Sequence, residues 1–149
     1  MNQKVLTISQ VQSFEYPCAV QVWVQSVKQQ AQWQDKKEVM SFRRLLLQDY
    51  LPNLECYAIR NEKQQILGLI GLANKQVFLL SVLPGYQRNG LAKRLINYAI
   101  NEFGVYKVNV PASNRPALEL FHAQGFYSVA RHDKDYIGRA MPWYQLVHF

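Results

Sequence analysis

Between Val77 and Leu95 the chain reads VFLLSVLPGYQRNGLAKRL. An apolar run meets a Pro84-Gly85 turn, then Gly90 among polar residues, then the first turn of an amphipathic segment. A strand that feeds a short loop into a helix aims several main-chain N–H groups at one spot, with the positive end of the helix dipole behind them. Such a spot binds anions. Gly90 has no Cβ, so a phosphate can approach the backbone closely. Arg88, Lys93 and Arg94 place positive charge around the same turn. The chemistry implied is capture of a phosphorylated ligand by main-chain amides.

The spacing excludes two common phosphate loops. A triphosphate loop needs G-x-x-x-x-G-K-[ST], and here Gly85 and Gly90 are followed by Leu91-Ala92. No G-x-G-x-x-G is present for a dinucleotide fold. The hexapeptide Gln87-Arg88-Asn89-Gly90-Leu91-Ala92 instead resembles the Q/R-x-x-G-x-G/A signature of the GNAT superfamily, the acetyl-CoA-dependent N-acetyltransferases. Leu80-Ser81-Val82-Leu83-Pro84 resembles that family's strand leading into the loop. Ala92 stands where the family more usually has glycine.

A later block supports the same resemblance. From Val108 to Phe126 the chain reads VNVPASNRPALELFHAQGF. It is similar to the family's strand, Asn-x-x-Ala, short helix and Gly-Phe. The residues alone give a matching local structure. Asn114 is a good N-cap, Pro116 fits a first helical turn, and Gly125 can end the helix in a left-handed conformation. The two motifs span Val77 to Asp133, and the N-terminal half carries no diagnostic motif.

The resemblance implies a cleft for acetyl-CoA where two neighbouring parallel strands, Gln76–Val82 and Tyr106–Val110, splay apart. Leu80, Ser81 and Val82 would offer unpaired main-chain groups to the pantetheine arm, since buried unpaired groups are costly. The pyrophosphate would lie on N–H groups from Arg88 through Asn89, Gly90 and Leu91 to Ala92, with Lys93 beside it. Gln87 would steady the loop or touch the pyrophosphate. Asn114 would cap its helix, or also reach the pantetheine arm. Phe121 lines the site where the family commonly has a tyrosine that protonates the departing sulfur. Phenylalanine cannot donate that proton, which leaves water, Tyr127, Tyr136 or Tyr144, or no acid at all, since a thiol near pKa 8.5 leaves well as thiolate.

The acceptor implied is a primary amine of a small molecule or peptide, attacked directly and without a metal. An amine with pKa about 10.4 is roughly one-thousandth neutral near pH 7.4, whereas an α-amine near 8 is far less handicapped. A general base matters more for the former. No carboxylate lies in Gln76–Val82, where some relatives keep a glutamate. Candidates elsewhere are Asp133, Asp135, His132, His122 and Glu55. The family's acceptor pocket maps to Gln29–Lys36 and His132–Pro142, which carry Trp33, Tyr136 and charges of both signs. A CoA-binding module of the same fold without catalysis is the alternative, motivated by Phe121 and the missing carboxylate.

Composition bounds the remaining choices. A chain of 149 residues, 49% of them hydrophobic, fits one domain with a real core. The N-terminus lacks an apolar run of signal-peptide length, and no segment approaches the roughly 18 apolar residues of a membrane span. The two cysteines, Cys18 and Cys56, form no C-x-x-C pair; Cys18 is expected in the core and the chain in a reducing cytosol. A formal charge of +7 admits a basic nucleic-acid-binding domain as a third reading. The basic residues are scattered, however, and a ligand with a pyrophosphate and a 3′-phosphate uses part of the excess. A monomer or homodimer acting on a soluble amine is expected.

Hydrophobic periodicity supplies the elements that must hold these residues. Strands are expected at Lys4–Ser9, Cys56–Asn61, Gln65–Ala73, Gln76–Val82, Tyr106–Val110, Phe126–His132 and Pro142–His148. Helices are expected at Tyr16–Gln30, Lys36–Tyr50, Gly90–Phe103 and Asn114–Gln124. In the second helix Val39, Met40, Phe42, Leu45, Leu46 and Leu47 are expected to face inward. The order β, α, α, β, β, β, α, β, α, β, β gives an α+β fold in three layers. Its central sheet is mixed, mostly antiparallel, and flanked by helices.

Overall fold

A computed structural model describes residues 5–149 apart from Gln29, Arg88 and Tyr136, and of Ala31 the backbone alone. Its elements follow the expected order. They are β1 (Thr7–Gln10), α1 (Tyr16–Ser26), α2 (Lys36–Leu45), β2 (Glu55–Arg60), β3 (Ile66–Ala73), β4 (Gln76–Val82), α3 (Leu91–Phe103), β5 (Lys107–Pro111), α4 (Arg115–Ala123), β6 (Phe126–His132) and β7 (Trp143–His148). The expected start of the first strand at Lys4 lies outside the described residues.

The seven strands form one sheet in the order β1-β2-β3-β4-β5-β7-β6. Every neighbouring pair is antiparallel except β4 and β5. β3 sits near the middle and is buried along almost its whole length, which explains its unbroken apolar run. Ile70 and Leu72 pack on one layer with Leu91, Leu95, Ile96 and Ala99 of α3. Leu69 packs on the other with Val20, Val22 and Trp23 of α1. Fully burying each such aliphatic side chain stabilises by about 1.5–3 kcal/mol, which holds both helix layers on the sheet.

Local chemistry sets the helix ends. Pro17 sits in the first turn of α1. Asp35 caps α2, its carboxylate accepting from Lys37 N at 2.8 Å. Gly104 ends α3 at φ 66°, a left-handed cap that favours glycine. Asn114 caps α4, Oδ1 accepting from Ala117 N at 3.2 Å.

Four expectations need correction. α1 stops at Ser26, and the chain then makes a short 3-10 turn at Ala31–Trp33 instead of a plain polar connection. α2 stops at Leu45; a wide π turn at Leu46–Tyr50 and a 3-10 turn at Leu51–Asn53 follow, because Pro52 cannot continue the helix. Within α2, Met40 and Leu45 are exposed, since the helix covers the molecule with a narrow stripe in which Phe42 lies 5.0 Å from Trp23 and 5.1 Å from Trp33. Cys18 is exposed and Cys56 buried; both are free. Burial pushes the Cys56 thiol up to about 12, so it stays protonated.

One polar group is buried at the far edge of the sheet. Arg60 donates to both carboxylate oxygens of Glu15, to Ser9 Oγ at 2.8 Å and to Gln10 O at 3.1 Å. It ties the start of the first helical layer to β1 and β2.

Candidate active site

β4 and β5 pair only at Gln76–Lys107 and Val77–Val108. Beyond that point β5 keeps only β7, which it pairs with along its whole length on the other side, while β4 stays on β3 as far as Val82, opposite Gly68. The parting has a local cause. Leu72 pairs with Val77 and Gly71 with Leu79, so Phe78 is an extra residue in β4. A bulge of this kind bends its strand and raises the twist. From Phe78 to Val82, β4 therefore has no strand on its β5 flank, and its outward main-chain groups have no ladder partner there.

The gap holds a continuous cleft. One cavity of about 260 Å³ is floored by β4 from Val77 to Ser81, β5 from Val108 to Pro111, and Phe121 of α4. A second, of about 340 Å³, continues along Leu80, Ser81 and Val82 to Gln87 and Ala92 and shares Gln30, Asn114 and Ala117 with the first. A third, of about 490 Å³, shares Gln32, Trp33, Phe42, Asn109 and Pro111 with the first and is closed by Asp135, Arg139, Met141, Pro142 and Trp143. Among the described residues lining the first two cavities, none is ionisable.

The second cavity ends at the N-terminus of α3. Gly90 is the N-cap at φ 74° and offers no side chain to the helix. The first-turn N–H groups of Leu91, Ala92 and Lys93 therefore have no partner within the helix. Gly85, at φ 91°, makes the preceding turn, in which Tyr86 N donates to Leu83 O at 3.1 Å. Asn89 N donates to Tyr86 O at 3.2 Å, so its hydrogen is spent inside the loop. Gln87 Nε2 donates to Val82 O at 3.3 Å and ties the loop to the end of β4. Arg88 lies outside the described residues.

These features suit an elongated ligand with amides along its length and phosphates at one end. Free strand-edge groups can pair with amides, and free helix N–H groups can bind phosphates. Residues 20–137 match the sequence profile described as acetyltransferase (GNAT) domain. The chain belongs to the GNAT acetyltransferases. Among its curated relatives, the peptidyl-lysine N-acetyltransferases YjaB of Salmonella typhimurium and Escherichia coli are 22% and 23% identical over 103 residues. Those matches cover 69% of this chain and 71% and 70% of the relatives. The solution structure of apo YjaB from Escherichia coli superposes with a TM-score of 0.85 at 22% identity, covering 97% of each chain. The Escherichia coli ribosomal-protein-S18-alanine N-acetyltransferase superposes at 0.64 and 18% identity, over 97% of this chain and 93% of that one. At these identities the structural likeness carries the fold.

In this GNAT acetyltransferase the structure brings Leu80, Ser81, Val82, Gln87, Ala92, Asn114 and Phe121 to one cleft. Phe121 is buried, edge-on to Phe126 with ring centroids 5.2 Å apart. The residues considered for acid and base roles are dispersed. His122 contacts Ser128 on an exposed face. Glu55 lies at the start of β2, opposite Leu72, away from the open end of β4. Asp133 is exposed and paired with Arg131 at 3.3 Å. His132 stacks on Trp143 at 4.2 Å. Tyr127 is exposed on β6, Tyr144 meets Arg131 Nη1 at 3.5 Å, and neither lines the three cavities. Tyr136 lies outside the described residues.

Among the described candidates, only Asp135 lines one of these three cavities. It accepts from Arg139 Nε at 2.6 Å, Arg139 N at 2.8 Å and Ile137 N at 3.1 Å. Desolvation raises its pKa, but these hydrogen bonds and the Arg139 charge outweigh that and hold the carboxyl below the usual aspartate range. Arg139 Nη1 also reaches Glu38 Oε1 at 3.4 Å, joining the loop before β7 to α2.

Sequence reasoning placed Gln29–Lys36 at the acceptor pocket but not over the strand cleft, and it missed Ser26. Ser26, Gln30 and Gln32 come from the end of α1 and the turn after it. Gln32 Oε1 is buried and has no hydrogen-bond partner among the described residues. An unmet buried acceptor costs about 1–3 kcal/mol. The amide-rich run from Gln29 to Gln34 was the available signal, but only the fold shows which amide turns inward.

Proposed function

We propose that this protein, acting as one domain over residues 1–149, transfers the acetyl group of acetyl-CoA directly to a primary amine. The observation that carries the reading is the cleft where β4 and β5 part, running from the free N–H groups of α3 to a separate apolar cavity. Acetyl-CoA supplies an activated thioester when bound. Leu80, Ser81 and Val82 would bind the pantetheine amides along the strand edge. Gly90, Leu91, Ala92 and Lys93, together with Arg88 as the family signature implies, would hold the pyrophosphate, with Asn89 and Gln87 steadying the loop. Asn114 positions α4, and Phe121 packs beneath the reacting end. No metal is required. Two free cysteines suit work in a reducing cytosol.

The third cavity would receive the amine from the side opposite the phosphates, so the two substrates meet near Asn109 and Gln32. Holding both substrates in one orientation at this neck favours direct transfer. The relatives named for peptidyl-lysine acetylation support an amine acceptor.

A CoA-binding module without catalysis is the second reading, favoured by Phe121 and by the lack of an ionisable group along the first two cavities among the described residues. A thermal-shift comparison of acetyl-CoA, CoA and ATP tests the cofactor. Ligand at about 100 times its dissociation constant stabilises by about 2.7 kcal/mol. An amine panel read by CoA release and product mass then separates enzyme from module. Stabilisation by acetyl-CoA with no acetylated product from any amine would favour the module.

A further inference from the structure

The neck between the first and third cavities carries an unmet hydrogen-bond acceptor and no available base among the described residues. Gln32 lines both cavities, and its buried Oε1 has no partner. Around it are Trp33, Phe42 and Asn109, all uncharged. The charged groups that face it are Asp135 and Arg139 in the third cavity, with Lys37 and Glu38 at the rim beyond Trp33 and Phe42. Asp135 already accepts three hydrogen bonds, two of them from Arg139. Glu38 is paired with Arg139 on the rim. None of these carboxylates is free to draw a proton from an amine at the neck.

We propose that the acceptor is an α-amine bearing an adjacent apolar or aromatic group, with an N–H of the amine donated to Gln32 Oε1 and the adjacent group resting against Trp33, Phe42 and Trp143. This rests on the acetyl-transfer reading above. The amine enters neutral, which an α-amine near pKa 8 can do at neutral pH and a lysine ε-amine near 10.4 rarely does. Its nitrogen forms a bond to the acetyl carbon as the carbon–sulfur bond breaks. The sulfur leaves as the thiolate of CoA, and the extra proton on nitrogen passes to solvent water. The wide apolar cavity also fits a bulky neighbour better than a bare polyamine, because no carboxylate in it is left to pair with a second ammonium.

The test compares phenylalanine amide with Nα-acetyl-lysine amide at saturating acetyl-CoA, from pH 6.5 to 9.5. The α-amine should be favoured by at least about tenfold in kcat/KM near pH 7.5, its profile levelling near pH 8, while the ε-amine profile climbs about tenfold per pH unit. An ε-amine used equally well near neutrality, or a profile for it that levels below pH 8, overturns the proposal by showing a protein base. Gln32→Leu should lower kcat/KM for phenylalanine amide by about tenfold with the acetyl-CoA thermal shift unchanged. A fully active Gln32→Leu variant overturns the role given to Gln32. No product from either amine, or from any amine in a wider panel, with acetyl-CoA bound, overturns the transfer reading itself and is distinguishable from these outcomes.

Discussion

Val77 pairs with Val108, and one residue later the two parallel strands have separated. The bulge at Phe78 lies directly after that last pair. A single extra residue thus ends the ladder and opens the strand edge that lines the cleft.

Gly90→Val should weaken acetyl-CoA binding by at least about tenfold, or 1.4 kcal/mol, by calorimetry. A Cβ at Gly90 meets nothing within 4 Å, so the obstruction would be felt by the ligand and not by the protein. The left-handed φ of 74° adds a stability cost of about 1–2 kcal/mol. Gly104→Val is the control, because Gly104 has φ 66° and equally open surroundings at the other end of α3. It should lose similar stability and keep its acetyl-CoA affinity. Equal loss of affinity in both would assign the effect to strain.

Phe121→Tyr should leave the acetylation rate flat or lower it. The ring is buried against Phe126, and an added hydroxyl crowds that contact at about 1–3 kcal/mol. A well-placed general acid is worth about 10²-fold, and less when the leaving group is already good. A rate gain above about tenfold would show that the position lacked only a proton donor.

Asp135→Asn separates a structural role from a basic one. If Asp135 were the general base, kcat would fall by about 10²-fold or more. Held as it is by Arg139, it should instead cost less than about fivefold in kcat and act on the acceptor KM, through the loop it organises.

Glu15 makes stability depend on acid. The hydrogen bond from Arg60 comes first among the causes that hold its pKa below the usual 4.5, outweighing desolvation. A depressed carboxyl pKa gives stability that is present above the unfolded value and lost as pH falls through the folded one. The melting temperature should therefore drop below about pH 4.5 more steeply in the parent than in Glu15→Gln. At neutral pH, Glu15→Gln should cost about 3 kcal/mol, because Arg60 stays buried with its charge unmatched. Parallel pH curves for the two proteins would contradict this.

The element order was legible because each segment carries its own period and end signals. Gly90, Gly104 and Gly125 mark left-handed positions that favour glycine, and all three have positive φ. Asn114 caps its helix as its type and spacing require. Helix ends at Ser26 and Leu45 were less legible. Nothing local stops α1 at Ser26, and although Pro52 signals a break, the π turn before it, with Leu46 and Leu51 both buried, has no local signal.

By itself, then, the sequence determined the loop and helix start proposed to hold phosphate. A strand, a tight turn and an uncapped helix start are contiguous, so their chemistry is written in neighbouring residues. Tertiary structure alone decided the rest. Phe78 became a bulge through its register against β3, a contact set by hydrogen bonds and not by side-chain type. Gln32 acquired a buried, unmet oxygen only because β4, β5 and α2 close around it. Arg139 and Asp135 lie four residues apart, yet it is Glu38, far back in the chain, that ties their loop to α2 beside the third cavity. Such groups gain their chemistry from partners distant in sequence, and no local pattern records them.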